Sequence, residues 1–159
     1  MRIGIDPGVS GAVAFLSDRL ELLEVVDMPT MTNGKKQQIN PYELRTLISL
    51  RLVKFVPKGI ELEKAYLEQV SAMPKQGVSS TFGFGVSFGI IQGVLAGLSL
   101  PVVLVTPAVW KRRAKLIGKE KDQARTLAQR LYPSAELGRK KDIGRADAIL
   151  IARFGEGGI

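Results

Sequence analysis

The stretch from Gln76 to Trp110 contains no charged residue, and this constrains the fold of the 159-residue chain more than any other feature. An uncharged segment of that length belongs in a protein core or in a membrane. Pro101 divides it: the β-branched run VVLVT at 102–106 predicts a strand, and 81–99 predicts a buried helix. We therefore expect two core elements of a globular protein, with a membrane span as the less favoured alternative.

Glycines recur every four residues along the helix predicted at 81–99, at positions 85, 89, 93 and 97. This spacing places them close to one helical face, where the absence of side chains permits close approach of another element. Two interpretations are equally supported. The face packs tightly inside the monomer, or it contacts a second copy of the chain.

Short apolar segments predict the rest of the fold. Strands are predicted at 2–7, 11–17, 20–27, 64–70 and 102–106, and helices at 81–99, at 119–133, at 144–158, and from Pro41, capped by Asn40, to about Lys54. The polar segments 28–40 and 71–80 are interpreted as loops. Three directly connected strands followed by strands reached through helices predict an α/β fold. We expect one domain, 1–159, with a five-stranded mixed sheet of three antiparallel and then two parallel strands, flanked by helices.

Basic charge is concentrated in the last third of the chain. Between Lys111 and Asp147 there are twelve lysines and arginines against five acidic residues, while the net charge of the whole chain is +8. Such a cluster is typical of a surface that contacts phosphates, so we expect a nucleic-acid partner. The first strand carries no signal-peptide pattern, and a cytoplasmic setting is expected.

The chain contains no histidine and no cysteine. This excludes disulfides, thiolate metal sites, the usual zinc ligands, and a Ser-His or Cys-His catalytic couple. Any catalysis must use carboxylates, lysines, hydroxyls or a metal ion.

Three acidic residues stand in otherwise apolar segments: Asp6 in IGIDPG, Glu68 in AYLEQV and Asp147 in RADAILIA. If the first and fourth strands are neighbours and the last helix crosses the sheet, the three carboxylates converge. Crowded carboxylates in a poorly solvated place stay ionised only beside a cation, and all-oxygen ligands select Mg²⁺ or Mn²⁺. Two such ions are a common device for phosphodiester hydrolysis. Together with the basic last third, the pattern predicts a nuclease.

Each of these acids also has a purely structural interpretation. Asp6 before Pro7 and Gly8 is a typical turn former, and Glu68 is compatible with a core ion pair. Asp147 suits the first turn of a helix, where the dipole favours an acid. The conjunction of all three favours the metal site.

Several segments, taken in order, resemble the RuvC family of Holliday junction resolvases, especially its compact bacteriophage members. They are GIDPGVSGAVA, YLEQVSAMPKQGVSSTFGFGVSFGIIQGVLAGL, PVVLVTPAVWKR, KDQAR and RKKDIGRADAILIA. The resemblance covers nearly the whole chain, with 28–60 uninformative. It implies a ribonuclease H-like fold, a homodimer and paired nicking of four-way DNA junctions. It also implies Mg²⁺ as cofactor, with Mn²⁺ as a substitute, in a bacterial or phage-infected cell.

The metal-binding acids of the family fall on Asp6, Glu68 and Asp147. Many relatives have a fourth ligand at the position of Gly144, which has no side chain to offer. Asp142 is the candidate replacement if the last helix begins after it.

The family lysines near the scissile phosphate fall on Lys111 and Lys121, with Lys121 the candidate catalytic lysine; the alternative for each is a solvated lysine that steers phosphate. Further DNA contacts are expected from Arg112, Arg113, Lys115, Lys119, Arg139, Lys140, Lys141, Met73 and Lys75. Cellular relatives carry an aromatic residue where this chain has Ser71, so Met73 is a candidate apolar wedge.

The leading prediction is a structure-selective endonuclease that resolves four-way junctions by paired symmetric nicks. One alternative is a nuclease of broader range that also cuts forks, flaps or RNA–DNA hybrids. The other is a junction-binding protein that has lost cleavage. The sequence does not indicate whether a branch-migration partner is required.

Overall fold

The computed structural model of the protein describes residues 1–56, 64–69, 71 and 77–156, with Lys121 described by its backbone alone. The strands are β1 (Arg2–Asp6), β2 (Ala12–Leu16), β3 (Leu22–Asp27), β4 (Thr30–Asn33), β5 (Lys36–Ile39), β6 (Lys64–Glu68) and β7 (Val102–Val105). The helices are α1 (Pro41–Phe55), α2 (Val78–Gly97), α3 (Pro107–Arg113), α4 (Lys121–Leu131) and α5 (Ile143–Phe154). A short 3-10 helix, Lys140–Asp142, leads into α5.

Five strands form one mixed sheet in the order β3-β2-β1-β6-β7. The β1–β2 and β2–β3 pairs are antiparallel, whereas β1–β6 and β6–β7 are parallel. The parallel pairs are reached through α1 and α2, as parallel strands require a crossover. The predicted five-stranded mixed sheet is confirmed, and so is the prediction that the first and fourth strands of that sheet are neighbours.

The prediction of a loop at 28–40 is wrong. Strands β4 and β5 form a separate two-stranded antiparallel sheet in which Thr30 pairs with Ile39 and Asn33 with Lys36. Most of its side chains are exposed and polar, so the segment lacks the apolar alternation that indicates a strand. The buried side chains of Met28 and Ile39 attach the hairpin to the core.

The helix predicted from Pro41 is confirmed, including its cap. The Asn40 side chain accepts a hydrogen bond from the backbone N–H of Glu43 at 3.2 Å, which satisfies one of the free amides of the first turn. The other predicted helices begin or end a few residues from the predicted positions. The last helix, expected at 144–158, runs from Ile143 to Phe154.

The main sheet buries both of its faces. On one face, Ile3, Ile5 and Phe15 pack in a cluster with side chains of α1 and α2. On the other face, Ala12 and Ala14 pack with α3, α4 and α5. These two layers of helices place the carboxyl ends of β1 and β6 next to α3 and α5.

Helix α5 lies unusually close to β1 at Gly4. A Cβ atom at Gly4 would overlap the backbone oxygen of Ala148 and the backbone nitrogen of Ala152. Only glycine permits this approach of helix backbone to strand backbone. It brings Asp147, which precedes Ala148, to the end of the sheet where β1 finishes.

Of the 20 residues of helix α2 only Ser87, Ile91 and Leu95 are buried, so the prediction of a buried helix is wrong for most of its length, and its glycines face outward. Apart from adjacent residues and the backbone of α2 itself, no atom of the described residues lies within 4 Å of a Cβ built at glycines 85, 89, 93 and 97. The interpretation that these glycines pack tightly inside the monomer is therefore wrong. By length and composition α2 would suffice to cross a membrane, which is weak evidence because helices of soluble proteins pass the same test.

Candidate active site

Asp6 and Glu68 end two neighbouring parallel strands. Ile5 of β1 is in register with Leu67 of β6, so the next residue of each strand is an acid. Asp6 also lines a cavity of about 410 Å³ together with Asp147 of α5. The sheet and the close approach of α5 thus bring all three acids singled out from the sequence to one end of the molecule.

The backbone N–H of Gly8 donates a hydrogen bond of 3.3 Å to Oδ1 of Asp6. The structural interpretation of Asp6 as a turn former therefore holds, and it is compatible with a role in a site. One carboxylate oxygen stabilises the turn after β1 while the same side chain lines the cavity.

The electrostatics of this strand end are unfavourable for negative charge. Burial and the charge of Glu68 raise the pKa of Asp6 to about 6, against smaller lowering effects of the Gly8 N–H and of Lys111. Burial also raises the pKa of Glu68, opposed by a hydrogen bond from Trp110 and by the charge of Lys111. Two ionised carboxylates here repel each other, and a bound cation would relieve that repulsion.

Two consecutive residues of α3 contact this region. The indole Nε1–H of Trp110 donates a hydrogen bond of 2.8 Å to Oε1 of Glu68. Lys111 lines the cavity beside Asp6, and its Nζ lies 5.2 Å from the centre of the Trp110 ring. Sequence reasoning found Lys111 but did not assign a role to Trp110.

Four lysines and three acidic residues line the cavity. Lys111, Lys119, Lys140 and Lys141 contribute to its wall, and Ser10, Leu116, Glu120, Ala124, Ile143 and Gly144 complete it. A cavity lined by both carboxylates and ammonium groups suits a phosphodiester whose charge the lysines neutralise. Ser10 was not singled out from the sequence, where it reads only as a turn residue.

Asp142 does not join this cavity. Its carboxylate is buried and accepts hydrogen bonds from Arg139: from the side chain at 2.7 and 3.0 Å and from the backbone N–H at 2.8 Å. The ion pair with Arg139 lowers the pKa of Asp142. The expected substitution of Asp142 for the fourth family ligand is not supported, because Arg139 already occupies both of its oxygens.

The position of the fourth family ligand is closed to any side chain. A Cβ atom at Gly144 would overlap the backbone oxygen of Ser10 and lie 2.9 Å from Cα of Gly11 and 3.2 Å from Oδ2 of Asp6. The start of α5 packs directly on the turn between β1 and β2. The absence of a fourth acid is thus part of how this chain packs.

The donor set available for a metal is made of carboxylate oxygens, which Mg²⁺ and Mn²⁺ prefer. Within the described ranges, no three acidic side chains are close enough together to hold an ion as they stand. The charge of Glu68 nevertheless raises the pKa of Asp6, and Asp6 shares a cavity with Asp147. By the chemistry of their oxygens, Asp6, Glu68 and Asp147 fit a hard divalent ion.

The remaining expected DNA contacts are distributed as follows. Arg112, Arg113, Lys115, Lys119, Lys140 and Lys141 are exposed, while Arg139 is exposed and bound to Asp142. Met73, Lys75 and the side chain of Lys121 lie outside the described residues. Ser71 is exposed. The predictions for these positions stay predictions.

Comparison with solved structures identifies the fold. The structure of Thermus thermophilus RuvC in complex with a Holliday junction substrate matches with a TM-score of 0.62 and 22% identity, covering 97% of this chain and 93% of the other. Another structure of Thermus thermophilus RuvC matches with a TM-score of 0.58 and 21% identity, covering 95% and 90% of the two chains. No protein-family model and no curated protein sequence matches the chain. The protein has the ribonuclease H-like fold of RuvC along nearly its whole length, as the resemblance of its motifs predicted.

Proposed function

We propose that the protein is an endonuclease that resolves four-way DNA junctions by paired symmetric nicks. The observation that carries the proposal is the pairing of Asp6 and Glu68 at adjacent strand ends, beside a lysine-lined cavity shared with Asp147. This arrangement lies in a fold whose matched structures include RuvC in complex with a Holliday junction substrate. Carboxylates and lysines around one cavity suit phosphodiester hydrolysis. The chain has no histidine or cysteine for the catalytic chemistry that needs those residues.

The cofactor in this proposal is Mg²⁺, with Mn²⁺ as a substitute, held by Asp6, Glu68 and Asp147. Bound there, the divalent ions supply activation of water and stabilisation of the leaving oxygen. The chain itself contributes the orientation of the carboxylates, through β1, β6 and α5. Lys111, in the cavity wall, contributes positive charge next to the phosphate that is cut.

DNA binding in this proposal uses the exposed lysines and arginines of the last third of the chain. Lys119, Lys140 and Lys141 border the cavity, so phosphates on either side of the scissile bond meet positive charge. Arg112, Arg113 and Lys115 extend the basic surface from α3. Lys121, Met73 and Lys75 are further proposed contacts, with Lys121 as the candidate catalytic lysine.

The proposal includes a homodimer formed through the glycine face of α2. Glycines 85, 89, 93 and 97 leave a smooth surface, and Val78 and Phe82 of the same helix are 87% and 74% exposed. Burying apolar side chains of that size under a second copy of the chain lowers the free energy, which stabilises the dimer. Two copies related by a twofold axis would offer two active sites to two symmetric strands. Such an enzyme would work in the cytoplasm.

One observation favours a second candidate, a junction-binding protein without cleavage. The closed position at Gly144 leaves three acids where many relatives have four. Such a protein would bind four-way junctions through the same lysines and leave their strands intact.

The test is cleavage of an end-labelled mobile four-way junction in Mg²⁺, with a splayed fork and a linear duplex of matched sequence alongside. We expect symmetric nicks in the junction, and a loss of at least about 100-fold in rate for Glu68→Gln with junction binding retained. Glu43→Gln, on the exposed first turn of α1, is the matched control and should cut normally.

The other outcomes separate the alternatives. Equal cutting of the fork indicates a broader branched-DNA nuclease. Tight junction binding without nicks in Mg²⁺ or Mn²⁺ indicates the binding protein. Unchanged cutting by Glu68→Gln contradicts the assignment of the site.

A further inference from the structure

We propose that Trp110 is a positioning residue for divalent-ion binding, because its indole N–H holds the Glu68 carboxylate in place. The inference rests on the proposed function, in which Glu68 is a metal ligand. It assigns a task to the only tryptophan of the chain, which lies beside the site and is completely buried.

The contact is specific in its chemistry. The indole Nε1–H is a donor with no acceptor capacity, and it meets Oε1 of Glu68 at 2.8 Å. A hydrogen bond to a carboxylate is stronger than one between neutral groups, and burial strengthens it further. One oxygen of Glu68 therefore accepts the hydrogen bond of Trp110, which leaves the other oxygen for ion binding.

Trp110 is itself held rigidly. It lies in α3, which follows β7 directly, and β7 is hydrogen-bonded along β6, where Glu68 pairs with Val105. The ring packs in the apolar cluster that also contains Tyr66 and Ile149. The acceptor Glu68 is thus fixed at the end of β6 and the donor Trp110 in the helix that follows the neighbouring strand β7, so the hydrogen bond sets the direction of the Glu68 side chain.

The need for such a residue follows from the acids around it. Burial disfavours an ionised carboxylate at the ends of both β1 and β6, and at Asp6 the charge of Glu68 adds to this effect. Without a donor, Glu68 would be free to turn away from Asp6 toward solvent. Partners of metal ligands that orient them typically contribute about 10- to 100-fold to metal affinity.

The decisive variant is Trp110→Phe, which keeps an aromatic ring in the core and removes the N–H donor. We expect the dissociation constant for Mn²⁺, measured by calorimetry on the protein without DNA, to rise about 10-fold or more. Junction binding in EDTA should stay the same, because it depends on the lysines.

Tyr132→Phe is the matched control for the loss of a buried hydrogen bond. The Tyr132 hydroxyl donates to the backbone oxygen of Leu20 at 3.0 Å and accepts from Arg153 at 3.0 Å, and the residue lies in the same apolar cluster as Trp110. This variant should lower thermal stability without changing Mn²⁺ affinity. A purely structural role for Trp110 would make the two variants behave alike, and an unchanged Mn²⁺ affinity in folded Trp110→Phe overturns the proposal.

A second measurement keeps Trp110 in place and applies if Trp110→Phe does not fold. Because Trp110 is the single tryptophan and donates to Glu68, intrinsic tryptophan emission reports on the surroundings of this hydrogen bond. Titration with Mg²⁺ should change the emission of the wild-type protein with saturation, and Glu68→Gln should abolish the change. Emission that stays constant at concentrations where calorimetry detects binding overturns the proposal. Equal Mn²⁺ binding by wild type and Glu68→Gln overturns the metal site as well, so the two failures are distinguishable.

Discussion

The charge of Glu68 helps to raise the pKa of Asp6, its neighbour across the parallel pair β1–β6, to about 6. The two carboxylates therefore oppose each other in the metal-free protein. This repulsion destabilises the folded protein, and a bound cation would relieve it. Removing one of the two charges should therefore stabilise the fold.

Asp6→Asn should raise the free energy of unfolding of the metal-free protein at pH 8 by about 1–3 kcal/mol. The folded-state pKa of Asp6 lies above its ordinary value of 3.8. The stabilising contribution of the protonated Asp6 side chain to the free energy of unfolding is thus fully present below pH 3.8 and is lost as pH rises through about 6. Urea denaturation in EDTA at pH 5 and pH 8 measures the effect. The advantage of the variant should be about half as large at pH 5 as at pH 8, and an advantage independent of pH would contradict the shifted pKa.

Gly144→Ala should destabilise the protein by about 1–3 kcal/mol, because the added methyl overlaps the backbone oxygen of Ser10. Gly144→Asp should destabilise it further and should not strengthen Mn²⁺ binding. Thermal denaturation and calorimetry provide the two readouts. Gly138→Ala is the control, since no described atom lies within 4 Å of a Cβ there. A stable Gly144→Asp protein with tighter Mn²⁺ binding would show that the position is open.

Asp142→Asn should lower the melting temperature and leave Mn²⁺ affinity unchanged. The substitution removes a buried charge from its partner Arg139, whose side chain donates to both oxygens. Its carboxylate faces Arg139 and not the cavity of Asp6. Differential scanning calorimetry with a parallel Mn²⁺ titration measures both quantities. A large loss of Mn²⁺ affinity would restore Asp142 as a metal ligand.

Replacing Lys140 and Lys141 by glutamine should weaken junction binding and reduce the slope of log K against log salt by about 2. Both lysines are exposed in the cavity wall. Fluorescence anisotropy with a labelled junction between low and high salt gives the slope. The double variant Lys54→Gln, Lys64→Gln removes equal charge from exposed positions outside the cavity wall. Equal effects of the two pairs would mean that net charge, and not the cavity, determines binding.

Leucine at Gly89 and Gly93 should dissociate the proposed dimer and leave the monomer folded. Space for both side chains is free in the described monomer, and leucine favours helix over glycine. Sedimentation should change from twice the 17.3 kDa chain mass to a single copy, and paired nicking should become single nicking. Arg45→Leu, on the exposed side of α1, is the control for added surface apolarity. A dimer that survives both leucines would place the interface elsewhere.

Local features of the fold were predictable because their causes lie within a few residues. Asn40 and Pro41 start α1 through capping and a fixed φ angle, which require no partner elsewhere in the chain. The hairpin at 28–40 was missed for the opposite reason. Its strands are exposed and polar, and only the burial of Met28 and Ile39 against distant elements attaches it.

The glycines show the same contrast between features that the local sequence reveals and features that depend on distant contacts. Their positions on α2 are visible in the sequence. Which side of the helix faces the core depends on the packing of Ile91 and Leu95 in the apolar cluster on one face of the sheet. Gly144 was visible only as a missing ligand. That no ligand fits there depends on the distance between α5 and Ser10, which no local pattern encodes.

The sequence by itself determined the class of fold, the three acids in apolar segments, the exclusion of histidine and cysteine chemistry, and the basic last third. These are matters of composition and of short-range periodicity. Only the tertiary structure decided that Asp6 meets Glu68, that Asp142 belongs to Arg139, and that Trp110 donates to Glu68. Those relationships depend on strand register and on helix packing between residues far apart in the chain, where small shifts decide which polar groups meet.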